Sequence, residues 1–564
     1  MKRSNLMRKK LTALLTSAIL TTTFLTGCGN GAQTSGEANQ DTQTSEVSEA
    51  LQDTQSAEGE SSIGQSGEET GAVTYPVETQ EKLTVMMRLD PNLTTLGYTS
   101  YEGTPFGREL EAKTGIDIEW IQPADNNALL LALAGGDLPD IVIMNYDTYT
   151  GGINQLAKDG IAIPITSYLE SCAPDYLAVL NSNDDYLKGV KNADKEIYSF
   201  AFLRGDISTL SWRGVIARKD WLDDLNMEVP NTIDEFYDML IAFRDEKGAV
   251  IPFSTRNDWV PLLLTDGLIT SAFGLPTAEE YQIEGTYHYG AYEDVYKDCL
   301  AFLNKLYAEG LLDVNWQTTD ETTTTANLLT GISGVHLTTS GRFESIMGSA
   351  KEENFDIVAI PSLTAEEGDT PMYNLISRWV DSDQNAFITE SCENVELAMK
   401  FLNYAYSEEG NILYNFGVEG ESYEMQDGTP LFTDLIMNNP DGVAVTTIMS
   451  AYIMSYKSGP LVQDKLYYDQ RMAMPQQQES AVTWGSTDVL DYKIQTISIP
   501  EEFASEYVNL WSDINTYISE MRAKFITGEE SLDNFTAYQE NLQKMGMDRI
   551  IEIKQMALDE YNSR

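Results

Sequence analysis

Residues 134–147 read Ala134-Gly135-Gly136-Asp137-Leu138-Pro139-Asp140-Ile141-Val142-Ile143-Met144-Asn145-Tyr146-Asp147, and their reading decides the fold class. A helix from Asn126 to Ala134 stops at the glycine pair, and Leu138-Pro139-Asp140 turns the chain. Ile141 to Met144 is then an unbroken apolar run, the pattern of a strand buried on both faces rather than on one. Such a strand needs helices on both sides of its sheet. Upstream, Lys82 to Met87 reads as a strand ending at the turn-like Asp90-Pro91-Asn92. Gly107 to Thr114 reads as a helix closed by Gly115, and Ile116 to Ile121 as a second strand. Alternating strands and helices imply α/β layers around a largely parallel sheet.

Downstream the pattern restarts at Val215-Ile216-Ala217, with a helix from Lys219 to Leu225 and another from Ile233 to Phe243. Thr232 with Glu235 three residues on forms a capping box, and Pro230 supports a helix start there. A second lobe therefore begins near residue 206. Amphipathic helices are predicted over Tyr292–Glu309, Val395–Phe416 and Phe503–Phe525, with a closing helical pair from Ser531 to Tyr561.

The amino terminus carries a different signal. Lys2, Arg3, Arg8, Lys9 and Lys10 precede an apolar stretch, Leu11 to Leu25, that is too short to span a bilayer and ends at Leu25-Thr26-Gly27-Cys28. This resembles the lipobox of bacterial lipoproteins. The resemblance implies that residues 1–27 are a signal peptide and that the Cys28 thiol takes a diacylglycerol carrying palmitate-type chains. A thiolate is the side chain nucleophilic enough for that thioether. Residues 28–81 hold no Lys or Arg before Lys82 and few large apolar groups. They read as a disordered acidic tether, with a mean span on the order of 40 Å. The membrane is expected to be reached through the lipid alone. So long a tether suits the thick wall of a Gram-positive cell surface.

The formal charge is -52, and it becomes more negative once the five leader cations are removed. Such a surface repels nucleic acid and anionic lipid. Cys172, Cys299 and Cys392 are an odd set after lipidation, so three buried thiols are expected rather than a disulfide framework. The two histidines, His288 and His336, form no metal pair and sit beside no nucleophile. No Gly-rich phosphate loop is present, since Gly331-Ile332-Ser333-Gly334 is not followed by Lys. Carboxylate pairs at glycosidase spacing can arise by chance among 88 acids, so composition leaves hydrolysis open.

Several stretches carry a family resemblance. They are Leu110-Glu111-Ala112-Lys113-Thr114-Gly115-Ile116, Ala134 to Ile141, and Arg218-Lys219-Asp220-Trp221-Leu222. Further on come Leu306-Tyr307-Ala308-Glu309-Gly310-Leu311-Leu312, Tyr404-Ala405-Tyr406-Ser407-Glu408-Glu409-Gly410, Gly417-Val418-Glu419-Gly420-Glu421-Ser422-Tyr423, and Phe525 to Leu532. In this order they resemble the extracellular solute-binding lipoproteins of carbohydrate ABC importers, in the large Gram-positive subgroup. The resemblance implies a periplasmic-binding-protein-like, type II fold of two α/β lobes joined by a hinge, with extra carboxyl-terminal helices. Lobe one would hold 82–205 plus 360–440, and lobe two 206–359 plus 441–564. It implies a monomeric, non-enzymatic receptor that captures an oligosaccharide and delivers it to the transmembrane subunits of a permease, with no cofactor. A peptide or other solute as ligand, and glycoside hydrolysis, stay open as alternatives. Relatives often carry a Ca²⁺ loop after the helix that follows Arg218–Leu222. Here Arg244 to Val250 is too short for six to eight oxygen ligands, so no metal is expected. Asp381-Ser382-Asp383-Gln384-Asn385 begins like an EF-hand but lacks its Gly and its terminal Glu.

Eight Trp and thirty Tyr suit a sugar cleft, where flat rings meet C–H faces and polar groups meet hydroxyls. Ligands of doubly wound lobes sit beyond the carboxyl ends of strands. That selects Asn145, Tyr146 and Asp147, and, after the first strand, Tyr98 and Tyr101. Trp212, Trp259, Trp379 with Arg378, and Trp484 are candidate platforms, each with ordinary packing as its rival. Arg342 could donate to hydroxyls or pair with a surface acid. Trp120 and Trp221 are read as core.

Overall fold

The computed structural model describes residues 72–564 other than Leu375 and Ala473; Cys28, the leader and most of the tether lie outside the described residues. The chain builds β1 (Lys82–Met87), β2 (Asp117–Ile121), β3 (Ile141–Met144) and β4 (Phe200–Arg204), then crosses to β5 (Arg213–Arg218) and β6 (Phe253–Ser254). A hairpin, β7 (Glu280–Ile283) and β8 (Thr286–Tyr289), precedes β9 (Val335–Thr339) and β10 (Ile357–Ala359). The chain then returns in β11 (Val380–Ile388), forms the hairpin β12 (Tyr423–Gln426) and β13 (Thr429–Phe432), and adds β14 (Val462–Gln463).

Two sheets result, with strand orders β14-β4-β11-β3-β1-β2 and β10-β5-β9-β6. β1 is parallel to β2 and β3, as the apolar run 141–144 implies. Both sheets are nevertheless more mixed than predicted. β11 is antiparallel to β3 and β4, and β5 is antiparallel to β9 and β10. A strand that re-enters its sheet from the other lobe arrives from the hinge end, so its direction is set by the crossing and not by a βαβ unit. Two lobe boundaries also differ. Ile360 and Leu363 pack in the core of lobe two, and the Ile360 amide donates to the Val215 carbonyl at 2.8 Å, so the chain stays with lobe two beyond residue 360 instead of joining lobe one there. β14 pairs parallel with β4, and Ala451, Met454 and Leu461 pack in the core of the first sheet, so the chain up to 463 lies with lobe one rather than with 441–564 in lobe two.

Local chemistry explains the elements. The capping box at Thr232 and Glu235 is formed. The helix expected over Val395–Phe416 is broken in two, Val395–Asn403 and Glu408–Phe416. Ser407 caps the second, accepting from the Gly410 amide at 3.1 Å, and a Cβ on Gly410 would collide with the Tyr404 carbonyl. The carboxyl-terminal helices Glu501–Thr527, Phe535–Met545 and Met547–Asn562 bury Ile514, Phe525, Tyr538, Ile550 and Leu558 in the core of lobe two. Cys172, Cys299 and Cys392 are free and buried.

The crossings are bonded into a ribbon. The Ile376 and Ser377 amides both donate to the Leu210 carbonyl at 3.1 Å, Ser211 Oγ donates to the Asn374 carbonyl at 2.5 Å, and Trp212 Nε1 donates to Ser377 Oγ at 3.1 Å. Gly205 lets this ribbon close up, because a Cβ there would sit 2.4 Å from the Gln463 carbonyl oxygen. Away from the ribbon, the carboxyl-terminal segment reaches lobe one through polar contacts that include Lys493 with Asp185, Lys158 with Glu501 at 2.9 Å, and Arg564 donating to the Lys188 carbonyl at 3.1 Å.

Candidate functional site

The carboxyl ends of β1 and β3 in lobe one, and of β6 and β9 in lobe two, point toward the crossing ribbon. Polar loops follow each of them, so the cleft between the lobes is lined by strand ends. A recess of about 360 Å³ lies on the lobe-two side of the ribbon. Tyr373 and Arg378 come from the crossing, Tyr287 and Tyr289 from β8, and Tyr507, Trp511 and Lys554 from the carboxyl-terminal helices. Trp511 meets Tyr289 edge-on at 5.3 Å and lies nearly parallel to Tyr507 at 6.1 Å, leaving a wall of flat rings.

Charge in this recess is paired. Arg213 holds Asp266 at 2.7 Å, and Glu280 is held by Lys554 at 2.8 Å and Arg378 at 3.3 Å. Burial pushes the Asp266 carboxyl up to about 6 against the pull of Arg213. Burial also raises Glu279, which accepts from the Tyr289 hydroxyl at 3.0 Å. The arrangement offers hydroxyl-binding carboxylates at fixed positions beside aromatic faces, the requirement set by a sugar ring.

The lobe-one edge is built differently. Asp90 caps the turn after β1, accepting from the Asn92 amide at 2.8 Å, and Lys457 lies 4.0 Å from it. Burial lowers the Lys457 ammonium to about 8, although Asp90 pulls the other way. β11 is bulged between Asp381 and Ala386, and Gln384 there takes the left-handed region at φ 57°, as Ser458 does at φ 86°. Strained non-glycine backbone of this kind persists where the surroundings hold it, often at ligand sites. The Asp381–Asn385 stretch is thus part of a strand. Asp381 pairs with Arg204 at 2.9 Å, and Asn385 accepts from the Phe202 amide.

The predicted residues do not converge on one point. Arg378 lines the recess. Tyr146 and Asp147 line a smaller one, about 180 Å³, where residues 496–498 meet lobe one. Asn145 caps the short turn after β3, accepting from the Asp147 amide at 3.0 Å. Trp379 is half-buried between the Tyr186 edge at 6.2 Å and the Lys493 ammonium at 5.4 Å. Trp212 is half-buried in the ribbon with Arg213 over its ring at 5.4 Å, and Tyr98 is half-buried against the lobe-one core. Arg342 pairs with Glu321, which also holds Arg256 at 2.6 Å.

Three predicted side chains turn inward. Trp484 is 0% exposed, its N–H given to the Ile360 carbonyl, in a space that exists because residue 214 is Gly; a Cβ there would lie 2.3 Å from the indole nitrogen. Trp259 is 7% exposed, with Arg256 over its ring at 4.0 Å and His336 stacked on it at 5.8 Å. Tyr101 is 4% exposed, packs on Trp120 at 5.1 Å and donates to the Arg88 carbonyl. As they stand, these three are packing residues. Conversely, Asp266, Tyr287, Tyr289, Tyr373, Tyr507, Trp511 and Lys554 were not predicted. They come from elements far apart in sequence, and no local spacing marks them.

Where a Ca²⁺ loop would sit, Asp245 is taken by Arg244 at 2.7 Å and Lys247 by Asp224 at 2.6 Å. Among the described residues no group of three or more His, Cys, Asp or Glu is placed to hold a metal ion.

Residues 100–412, more than half of the chain, match the family model described as bacterial extracellular solute-binding protein. The chain is 23% identical over 528 residues to a fructooligosaccharide ABC transporter substrate-binding protein of Streptococcus pneumoniae, covering 87% of this chain and 92% of that one. It is 26% identical over 475 residues to the lipoprotein LipO of Bacillus subtilis, covering 80% and 88%. In three dimensions it is similar to an ABC-transporter-associated solute-binding protein of Bifidobacterium longum infantis described as binding HMO, with a TM-score of 0.67, 18% identity, and coverage of 86% and 99%.

Proposed function

The chain belongs to the bacterial extracellular solute-binding proteins, and on that premise we propose that it is the substrate-capture receptor of an ABC importer, closing two lobes on an oligosaccharide. One observation carries the choice of sugar over other solutes. The recess beside the ribbon combines five aromatic rings with hydrogen-bonding carboxylates held by cations, which is what C–H faces ringed by hydroxyls require. The full-length likeness to a protein named for fructooligosaccharide supports it. A ligand touching the recess, the ribbon and the lobe-one edge together favours the closed form, because it makes both sets of contacts only there. The closed receptor then meets the transmembrane subunits of its permease.

Within this reading Trp511, Tyr373 and Arg378 contact the sugar first. Trp212, Trp379, Arg342, Asn145, Tyr146, Asp147 and Tyr98 stay as outer candidates. Cys28 is the lipid anchor at the outer face of the membrane, a reading to which the lipoprotein relative lends support. Calorimetry of the mature chain against oligosaccharide and peptide libraries tests the ligand class. Alanine at Trp511 should weaken sugar binding by about 1 kcal/mol through lost stacking. A peptide bound in preference to every glycan would sink the sugar reading. Hydrolysis is the second reading, favoured by Asp266 and Glu279, two carboxyls raised by burial in one recess. A receptor returns the oligosaccharide uncut after hours of incubation, which chromatography reads directly. Cys28→Ser should release the chain from membranes and leave its ligand affinity unchanged.

A further inference from the structure

The helix Lys465–Arg471 connects the end of the lobe-one sheet to lobe two. It is fixed at both ends, with Asp464 capping it and Gln470 bonded to the Pro430 carbonyl at 2.8 Å and the Phe432 amide at 2.9 Å. Tyr467, Tyr468 and Arg471 lie three and four residues apart on one face. Tyr467 is 0% and Tyr468 4% exposed, yet neither hydroxyl has a hydrogen-bond partner among the described residues. The first looks toward the Arg471 guanidinium and the second toward Ser340 at the end of β9, neither in bonding geometry. Tyr456, bonded to Asn92 after β1, completes the surround. The face thus lies where the two lobes meet.

Most other arginines at these strand ends and crossings are neutralised: Arg204 by Asp381, Arg213 by Asp266, Arg256 by Asp258 and Glu321, Arg342 by Glu321, and Arg378 by Glu280; Arg88, just after β1, reaches only the Asn126 amide oxygen at 3.4 Å. Arg471 has no carboxylate within 4.0 Å among the described residues. The acids nearest in sequence are occupied, Asp469 by Lys465 at 2.6 Å and Asp464 by the Leu466 amide. The Arg471 guanidinium is half-buried with no counter-charge beside it, and a buried phenol without a partner is costly. Both shortfalls are met by one kind of group, a planar anion that accepts from the guanidinium fork and from a phenol at once.

We propose that Arg471 with Tyr467 and Tyr468 is a carboxylate-recognition subsite, and that the oligosaccharide captured here carries a uronic acid. This rests on the carbohydrate reading above and narrows it. The rest of the molecule is strongly acidic, so long-range repulsion slows the approach of such a ligand while the fork holds it on contact. Its association rate therefore rises with added salt.

The test is calorimetry of the mature chain with an oligogalacturonide and with the same oligomer after reduction of its carboxyls to alcohols. The acidic form is expected to bind about tenfold tighter, as fits a charge-assisted bidentate contact against a neutral one. Arg471→Met should bring the two within about twofold, and Arg471→Lys, which keeps the charge without the fork, should retain part of the preference. Equal binding of both oligomers to the unaltered chain overturns the subsite and leaves the sugar receptor standing, as does a variant that weakens both equally. Failure to bind any glycan overturns the subsite and the receptor reading together.

Discussion

The lobe-two wall and the helix Lys465–Arg471 both adjoin the ribbon and treat charge in opposite ways. On the wall, each arginine is tied to a carboxylate supplied by a neighbouring element, so the pairs are satisfied before any ligand arrives. On the helix, among the described residues, a half-buried guanidinium has no carboxylate beside it and two buried phenols have no hydrogen-bond partner. The difference separates charge that holds the protein together from charge left for something else. An ion pair complete in the free protein gains little when a ligand enters, whereas an incomplete one gains its full partner.

The comparison breaks first, and with the largest effect, at Asp266. Alanine there strands Arg213, and stability should fall by about 3 kcal/mol in a denaturant titration. A loss under about 0.5 kcal/mol would mean that the wall is not structural.

Next comes pH. His336 is 1% exposed, neither ring nitrogen is bonded, and burial lowers its pKa to about 3. The unfolded chain binds that proton first, so stability should fall as pH drops from about 6.5 toward 3, by at most about 1.4 kcal/mol per pH unit. His336→Phe should flatten that limb. Asp266 acts in the opposite sense. Its raised pKa of about 6 means that the folded state keeps the proton longer, so this part of the stability is lost as pH climbs from about 4 to 6. Asp266→Asn should remove that decline.

Smaller again is Arg471→Met. Its tenfold effect on an acidic ligand is about 1.4 kcal/mol, with the free protein as stable as before or slightly more so, since an unpaired charge has gone. A large drop in stability would place Arg471 with the wall. Smallest is Arg342→Gln. Its pair with the half-buried Glu321 is partly exposed, and under about 1 kcal/mol should be lost in both stability and affinity.

Much of the fold was legible because it is local. The apolar run 141–144, the capping box at Thr232 and the helix-closing Gly115 each carry their own instruction within a few residues. The antiparallel return of β11 was not legible, because its direction follows from where the crossing delivers it. The site was harder still. Trp484 sits in a polar-looking stretch, yet Gly214, far away in sequence, opens the space that swallows it. Trp259 likewise reads as a loop residue until Arg256 and His336 pack on its ring. Arg378 was found through its position beside a candidate Trp, whereas Arg471 carries no sequence signal. What distinguishes it is the lack of an acid nearby in space, and spacing along a chain does not encode that.

The bonded ribbon between the lobes has a kinematic consequence. Three independent threads would let the lobes twist, slide and tilt separately. Strands cross-linked through Leu210, Ser211 and Trp212 to Asn374, Ile376 and Ser377 behave as a single flexure with one soft direction. A ligand seated anywhere along the cleft then drives the same motion to the same end point. Occupancy is thereby translated into one outer shape, whatever the length of the chain that is bound.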